Sequence, residues 1–213
     1  MANLLLLHHV LGVTPGVRQL AASWEDAGHT VLVPDLYDGR TYPDIESGMA
    51  ASAALDHKAF DDLADDAAAG LGSGFVVCGI SLGVMPAMNL AISNDAVAAV
   101  VAVGSCIPSE YLPGPWPASV PLRVLASSGD EMFNNEGDLD AAKDLVDSGA
   151  DVKVKLLPGE EHLFMEADDA DSEAATRHLY ETVLRLLSRI DEDLPTGADE
   201  EEDRAEGVVW DLP

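Results

Sequence analysis

The chain has 213 residues, 47% of them apolar, and its 39 acidic side chains against 11 lysines and arginines give a formal charge of −28. That length suits one domain with a sizeable core, and the apolar content excludes a wholly disordered chain. The acidic excess repels phosphate backbones and anionic bilayer surfaces, which argues against nucleic acid or membrane as a partner.

In chain order, Met1-Ala-Asn-Leu-Leu-Leu-Leu7 opens without a basic residue, and its apolar stretch is too short for a secretory signal. It reads as the start of a first strand, Leu4 to His8, in a cytoplasmic protein. Further short apolar runs follow at Thr30 to Pro34, Phe75 to Cys78, Val97 to Val103, Leu122 to Ala126 and Val152 to Leu156. Segments of helical period separate them, near Gly16 to Ala27, Met49 to Ala69, Leu82 to Ile92, Asn135 to Ser148 and Ala170 to Arg189. This alternation predicts the α/β class: a doubly wound, mostly parallel sheet of about six strands in a three-layer sandwich spanning residues 1–190. Its ligand crevice is expected at the carboxyl ends of the strands. No run of about 18 apolar residues is present, so no spanning helix is predicted. From Asp191 onward the tail holds ten acidic residues and one arginine, followed by the apolar Val208, Val209, Trp210 and Leu212. It is expected to be disordered or to dock back on the body.

Cys78 and Cys106 are the only cysteines, too few for a four-thiolate metal site, and they read as reduced, buried thiols. His8 and His9 adjoin, but neighbours on an extended segment point to opposite faces and two ligands are too few for a metal. No metal or cofactor is expected.

The residues that carry chemistry follow the third predicted strand. Gly79-Ile80-Ser81-Leu82-Gly83 is a Gly-x-Ser-x-Gly pattern between a strand and a helix. Such a turn holds its serine in strained backbone geometry, and side chains at its two glycine positions would collide with neighbouring backbone. A serine hydroxyl needs a base, and the base needs an orienting acid, in the chain order Ser, acid, His for this architecture. Asp130 stands just past the Leu122 to Ala126 strand, and His162 stands in the loop after the Val152 to Leu156 strand. Asp130 is also well suited to cap a helix; Glu131 and Asp138 are competing acids. His57 and His178 lie in helical stretches and are poorer bases. The oxyanion hole is expected to combine the amides of Leu82 and Val10, the second from the His8-His9-Val10-Leu11-Gly12 loop.

These segments, together with Val33-Pro34-Asp35-Leu36-Tyr37 and Gly159-Glu-Glu-His162-Leu-Phe164, resemble the signature segments of the dienelactone hydrolase family within the α/β-hydrolase fold. The likeness spans most of residues 4 to 190. It implies that Ser81, Asp130 and His162 serve as nucleophile, acid and base, with Val10 and Leu82 as the oxyanion hole. The chain departs from the family's namesake enzymes at three points. They carry a cysteine in place of Ser81, a glutamate in place of His9, and a substrate-gripping arginine in place of Glu166, which is expected to repel an anion. It is also expected to lack the fold's usual first two strands, which leaves one edge of the sheet exposed.

His9, Tyr37, Tyr111 and Trp116 are expected in the substrate pocket, the three aromatics, with Tyr42, forming an apolar wall for an uncharged acyl or alcohol group. The expected reaction is cleavage of a small-molecule carboxylic ester or lactone through an acyl-enzyme. Glu160 and Glu161 beside His162 are expected to favour its charged form and so to place the activity optimum above neutral pH. Two rival readings use the same fold: a non-catalytic binding or regulatory module, and an acyltransferase or thioesterase built on the same triad.

Overall fold

The computed structural model describes residues 1–56 and 58–192. His57 and the acidic tail beyond residue 192 lie outside the described residues. The apolar runs form six strands: β1 (Asn3–Leu7), β2 (Thr30–Leu32), β3 (Phe75–Ile80), β4 (Val97–Val103), β5 (Leu122–Ser127) and β6 (Val152–Leu157). All pair in parallel, in the order β2-β1-β3-β4-β5-β6. Among the described residues seven α-helices connect or follow them: α1 (Pro15–Asp26), α2 (Ile45–Ser52), α3 (Ala59–Ala68), α4 (Val84–Ser93), α5 (Glu131–Asn135), α6 (Asp138–Asp147) and α7 (Ala170–Asp191). This is the α/β-hydrolase arrangement.

The central strands are apolar at every position because both faces are covered. Leu4 and Leu6 of β1, with Val76 and Cys78 of β3, pack on one side against Val17 and Trp24 of α1 and Leu179 and Val183 of α7. Leu5 and Leu7, with Val77, pack on the other side against α3, α4 and α6 through residues such as Ala64, Ala87 and Ala142. Trp24 is wholly buried and donates its indole N–H to the Tyr180 carbonyl at 3.1 Å, which ties α1 to α7.

Strand order reverses between β1 and β3, and all strands end on the same rim. The loops after β1, β3, β4, β5 and β6 therefore meet there, as expected at such a switch point.

Several boundaries differ from those read in the sequence. β2 stops at Leu32, and Leu32 itself is 38% exposed on the sheet's edge. The predicted Met49 to Ala69 helix is two helices. Asp44 caps α2 by accepting from the Ser47 amide, and the chain then turns at Asp56, which accepts from Lys58, before α3 begins. Similarly, Gly137 at φ +108° separates α5 from α6. No helix among the described residues is long and apolar enough to cross a membrane.

Candidate active site

β3 runs directly into a single 3-10 turn, Ser81–Gly83, and then α4. Ser81 at the junction has φ +49°, a left-handed conformation that L residues rarely adopt and that costs on the order of 1–3 kcal/mol unless the surroundings impose it. The surroundings here are backbone. A Cβ at Gly79 would overlap the Gly83 carbonyl, and one at Gly83 would overlap the Leu7 carbonyl at the end of β1. The turn is thus wedged against the neighbouring strand with Ser81 partly exposed.

β5 and β6 continue their pairing beyond the strands. Ser128 donates its amide to the Leu157 carbonyl (2.6 Å), Gly129 donates its amide to Gly159 (2.8 Å), and the buried Ser127 hydroxyl donates to the Glu161 carbonyl (2.7 Å). Asp130 and His162 sit just past this zipped segment. Asp130 is 1% exposed and divides its carboxylate: Oδ1 accepts from the Met132 and Phe133 amides at the start of α5, and Oδ2 lies 2.7 Å from His162 Nδ1. His162 Nε2 lies 2.9 Å from Ser81 Oγ. The network assigns the tautomer: Nδ1–H donates to Asp130, leaving Nε2 to accept from the hydroxyl. Gly104, after β4, has φ +68°, and a Cβ there would lie 3.1 Å from the imidazole Cε1.

Opposite the imidazole is the loop after β1. His8 and His9 are both wholly buried. His8 donates Nδ1–H to the His9 carbonyl (2.6 Å) and accepts the Leu36 amide at Nε2 (3.1 Å). Burial pushes its pKa down, and it is neutral in this arrangement. His9 accepts the Leu11 amide at Nδ1 (3.2 Å) and donates Nε2–H to Glu166 Oε1 (3.2 Å). Thr14, the N-cap of α1, donates its hydroxyl to the same oxygen at 2.5 Å. Burial raises the Glu166 pKa, but the hydrogen bonds from His9 and Thr14 outweigh it and hold the carboxyl below its ordinary value. Among the described residues the Val10 amide has no acceptor. Leu82 lies in the first turn after Ser81, where amides lack a partner within the helix. Gly48 of α2 fits against the Val10 carbonyl, where a Cβ would approach to 2.5 Å.

The sequence matches the dienelactone hydrolase family over residues 2–190. The chain belongs to that family, and so to the hydrolases. Two solved structures of similar fold are one designated m3DLH (23% identity, TM-score 0.68, covering 90% of this chain and 86% of that one) and a dienelactone hydrolase-like promiscuous phosphotriesterase P91 from metagenomic libraries (18%, 0.67, 88% and 87%). Esterase PE8 is a third (20%, 0.56, 84% and 92%). No protein of curated function matches the sequence.

In this dienelactone hydrolase family member, Ser81, Asp130 and His162 meet within hydrogen-bonding distance, and the loop carrying Val10 joins them at the rim. The expected apolar wall does not assemble. His9 has no exposed ring surface, and its two nitrogens are taken by the Leu11 amide of its own loop and by Glu166 of the loop after β6. Tyr37 is 1% exposed, enclosed by His8, Gly12 and an edge-on Tyr42, and burial pushes its phenol up to about 12. Trp116 donates its indole N–H to Val120 (2.7 Å) and packs on the core, whereas Tyr111 is 66% exposed. Glu166 is turned toward the start of α1. Of the competing acids, Asp138 accepts from Ser105 Oγ and the Cys106 amide, and Glu131 is exposed. His178 lies in α7, its pKa lowered chiefly by burial. Cys78 and Cys106 are buried free thiols, pushed by burial up to about 12. Among the described residues no three His, Cys, Asp or Glu side chains group so as to hold a metal. Sequence reasoning missed Thr14, Gly48, Gly104 and Ser127. Only Thr14, immediately before Pro15, carried a local signal, that of a helix start.

Proposed function

We propose that this protein is a serine hydrolase that cleaves a carboxylic ester or lactone through an acyl-enzyme. The observation that carries this reading is the unbroken chain of hydrogen bonds from Ser81 Oγ through His162 to Asp130, 2.9 and 2.7 Å long, with Ser81 held at φ +49°. In the first step His162 Nε2 takes the Ser81 proton while Oγ attacks the substrate carbonyl. Asp130 holds the imidazole and stabilises its charge. The amides of Val10 and Leu82 stabilise the developing oxyanion, and Leu82 has the positive end of the α4 dipole behind it. The imidazolium then gives its proton to the leaving alcohol. Water, activated by the same imidazole, releases the acid and restores Ser81. The carboxylate excess of the surface disfavours anionic substrates, which points to uncharged esters and lactones.

Replacing Ser81 by Ala is expected to abolish turnover of a simple aryl ester while leaving thermal unfolding unchanged, and a fluorophosphonate probe is expected to label the native protein only. Turnover by the Ser81→Ala variant would remove Ser81 from its role. A native protein that stays unlabelled and inert would instead support the binding-module reading. A hydrolysis screen over uncharged and anionic esters, lactones and thioesters, with competing alcohol acceptors, assigns the substrate class and separates hydrolysis from acyl transfer.

A further inference from the structure

Of the amides of Val10, Leu11 and Gly12, two are turned inward by the residue before them: Leu11 donates to His9 Nδ1 at 3.2 Å and Gly12 donates to the His9 carbonyl at 3.0 Å. Of these three, the Val10 amide alone has no acceptor among the described residues. The far side of the His9 ring is anchored as well. Its Nε2 meets Glu166 Oε1 at 3.2 Å, and that oxygen also accepts the Thr14 hydroxyl at 2.5 Å. Glu166 ends the Phe164–Glu166 turn, which begins two residues after His162. One buried imidazole therefore joins the loop that supplies an oxyanion amide to the loop that supplies the base, and these loops lie on either side of the Ser81 hydroxyl.

We propose that His9 is a positioning residue: its ring, bonded to Leu11 on one side and Glu166 on the other, keeps the Val10 amide directed at the oxyanion and in register with His162. This rests on the serine-hydrolase reading above. A ring that merely filled core volume would need neither bond, and its loss would lower stability without acting selectively on kcat. A ring that aims a donor acts on the step in which charge develops on the substrate oxygen, because a donor displaced by about 1 Å forfeits much of its transition-state stabilisation.

The test measures kcat, KM and pH–rate profiles on an uncharged aryl ester for native protein, Ser81→Ala, His9→Leu, His9→Asn and Glu166→Ala. His9→Leu removes both ring bonds and is expected to lower kcat by about 30- to 100-fold. KM is expected to change less than about threefold, and the acid limb of the profile, governed by the untouched His162–Asp130 pair, is expected to stay in place. His9→Asn keeps an acceptor in reach of the Leu11 amide and is expected to recover about tenfold of that loss. Glu166→Ala, which leaves the ring but removes its anchor, is expected to lower kcat about tenfold with the same unmoved limb, and it decides the matter if His9→Leu does not fold. A folded His9→Leu or Glu166→Ala with native kcat overturns the inference. So does a loss confined to KM, a displaced acid limb, or a His9→Asn no better than His9→Leu. Native protein without Ser81-dependent turnover overturns the serine-hydrolase reading, and this inference with it, whereas an active native protein beside an unaffected His9→Leu overturns this inference alone.

Discussion

Asp130 gives its two carboxylate oxygens to different structural elements, and the two tasks separate by mutation. Oδ1 caps α5 through two backbone amides, and Oδ2 faces His162 Nδ1. Asparagine is as good an N-cap as aspartate but cannot stabilise an imidazolium and favours the wrong tautomer. Asp130→Asn is therefore expected to cost less than about 1 kcal/mol of stability and roughly 10³- to 10⁴-fold in kcat. Chemical denaturation beside steady-state kinetics checks this split; a stability loss matching the activity loss would show that the second oxygen does nothing but hold the fold. In the sequence, capping and acid chemistry stand as rival readings of Asp130, and the structure reconciles them because one carboxylate has lone pairs enough for both. The aromatic residues were not legible in the same way. Whether Tyr37 lines a pocket or fills one depends on His8, Gly12 and Tyr42 closing around it, and nothing local in the chain announces that enclosure.

Strand and helix identity followed from apolar period, because strands covered on both faces are apolar at every position whereas helices show one stripe. Boundaries were harder where a polar side chain redirects the backbone. Asp44 and Asp130 capture amides and start helices ahead of the periodic stretches, and Asp56 captures the Lys58 amide and makes a turn inside one of them. The glycines around Ser81 were legible as a pattern, but the element they press on was not. The partner of Gly83 is the carbonyl of Leu7, more than seventy residues earlier in the chain and adjacent only because β1 pairs with β3. Gly83→Ala is expected to push the elbow off the end of β1, with a stability loss of about 1–3 kcal/mol from overpacking. Displacement of Ser81 from His162 is expected to lower kcat at least ~10²-fold. Fluorophosphonate labelling checks this: a Gly83→Ala protein labelled at the native rate would mean that the contact with Leu7 does not hold the nucleophile.

At the scale of the whole chain, two electrostatic effects act on stability in separable ranges of pH. His8, His29 and His178 all have pKa values lowered chiefly by burial, so the folded protein takes up these protons at lower pH than the unfolded chain, which binds them near 6.5. The sign follows: their stability contribution is intact above that value and is lost as pH falls below it, by up to about 1.4 kcal/mol per pH unit for each group. Glu166, with a lowered pKa, contributes stability above its ordinary 4.5 that is lost on further acidification. The repulsion expected from a formal charge of −28 changes little between pH 7 and 5.5, where carboxylates stay ionised, so the histidines govern that interval. Salt addresses the other term. Raising ionic strength from 0.1 to 1 M shortens the Debye length from about 10 to about 3 Å, which weakens repulsion between surface carboxylates but leaves buried imidazoles untouched. Melting at pH 7.5 is therefore expected to shift upward by several degrees over that range, while the loss of stability between pH 7 and 5.5 persists at both salt concentrations. A melting temperature indifferent to salt would mean that the acidic surface is not under strain; an acid-side loss that vanishes in 1 M salt would mean that exposed charges, rather than the three histidine rings, produce it.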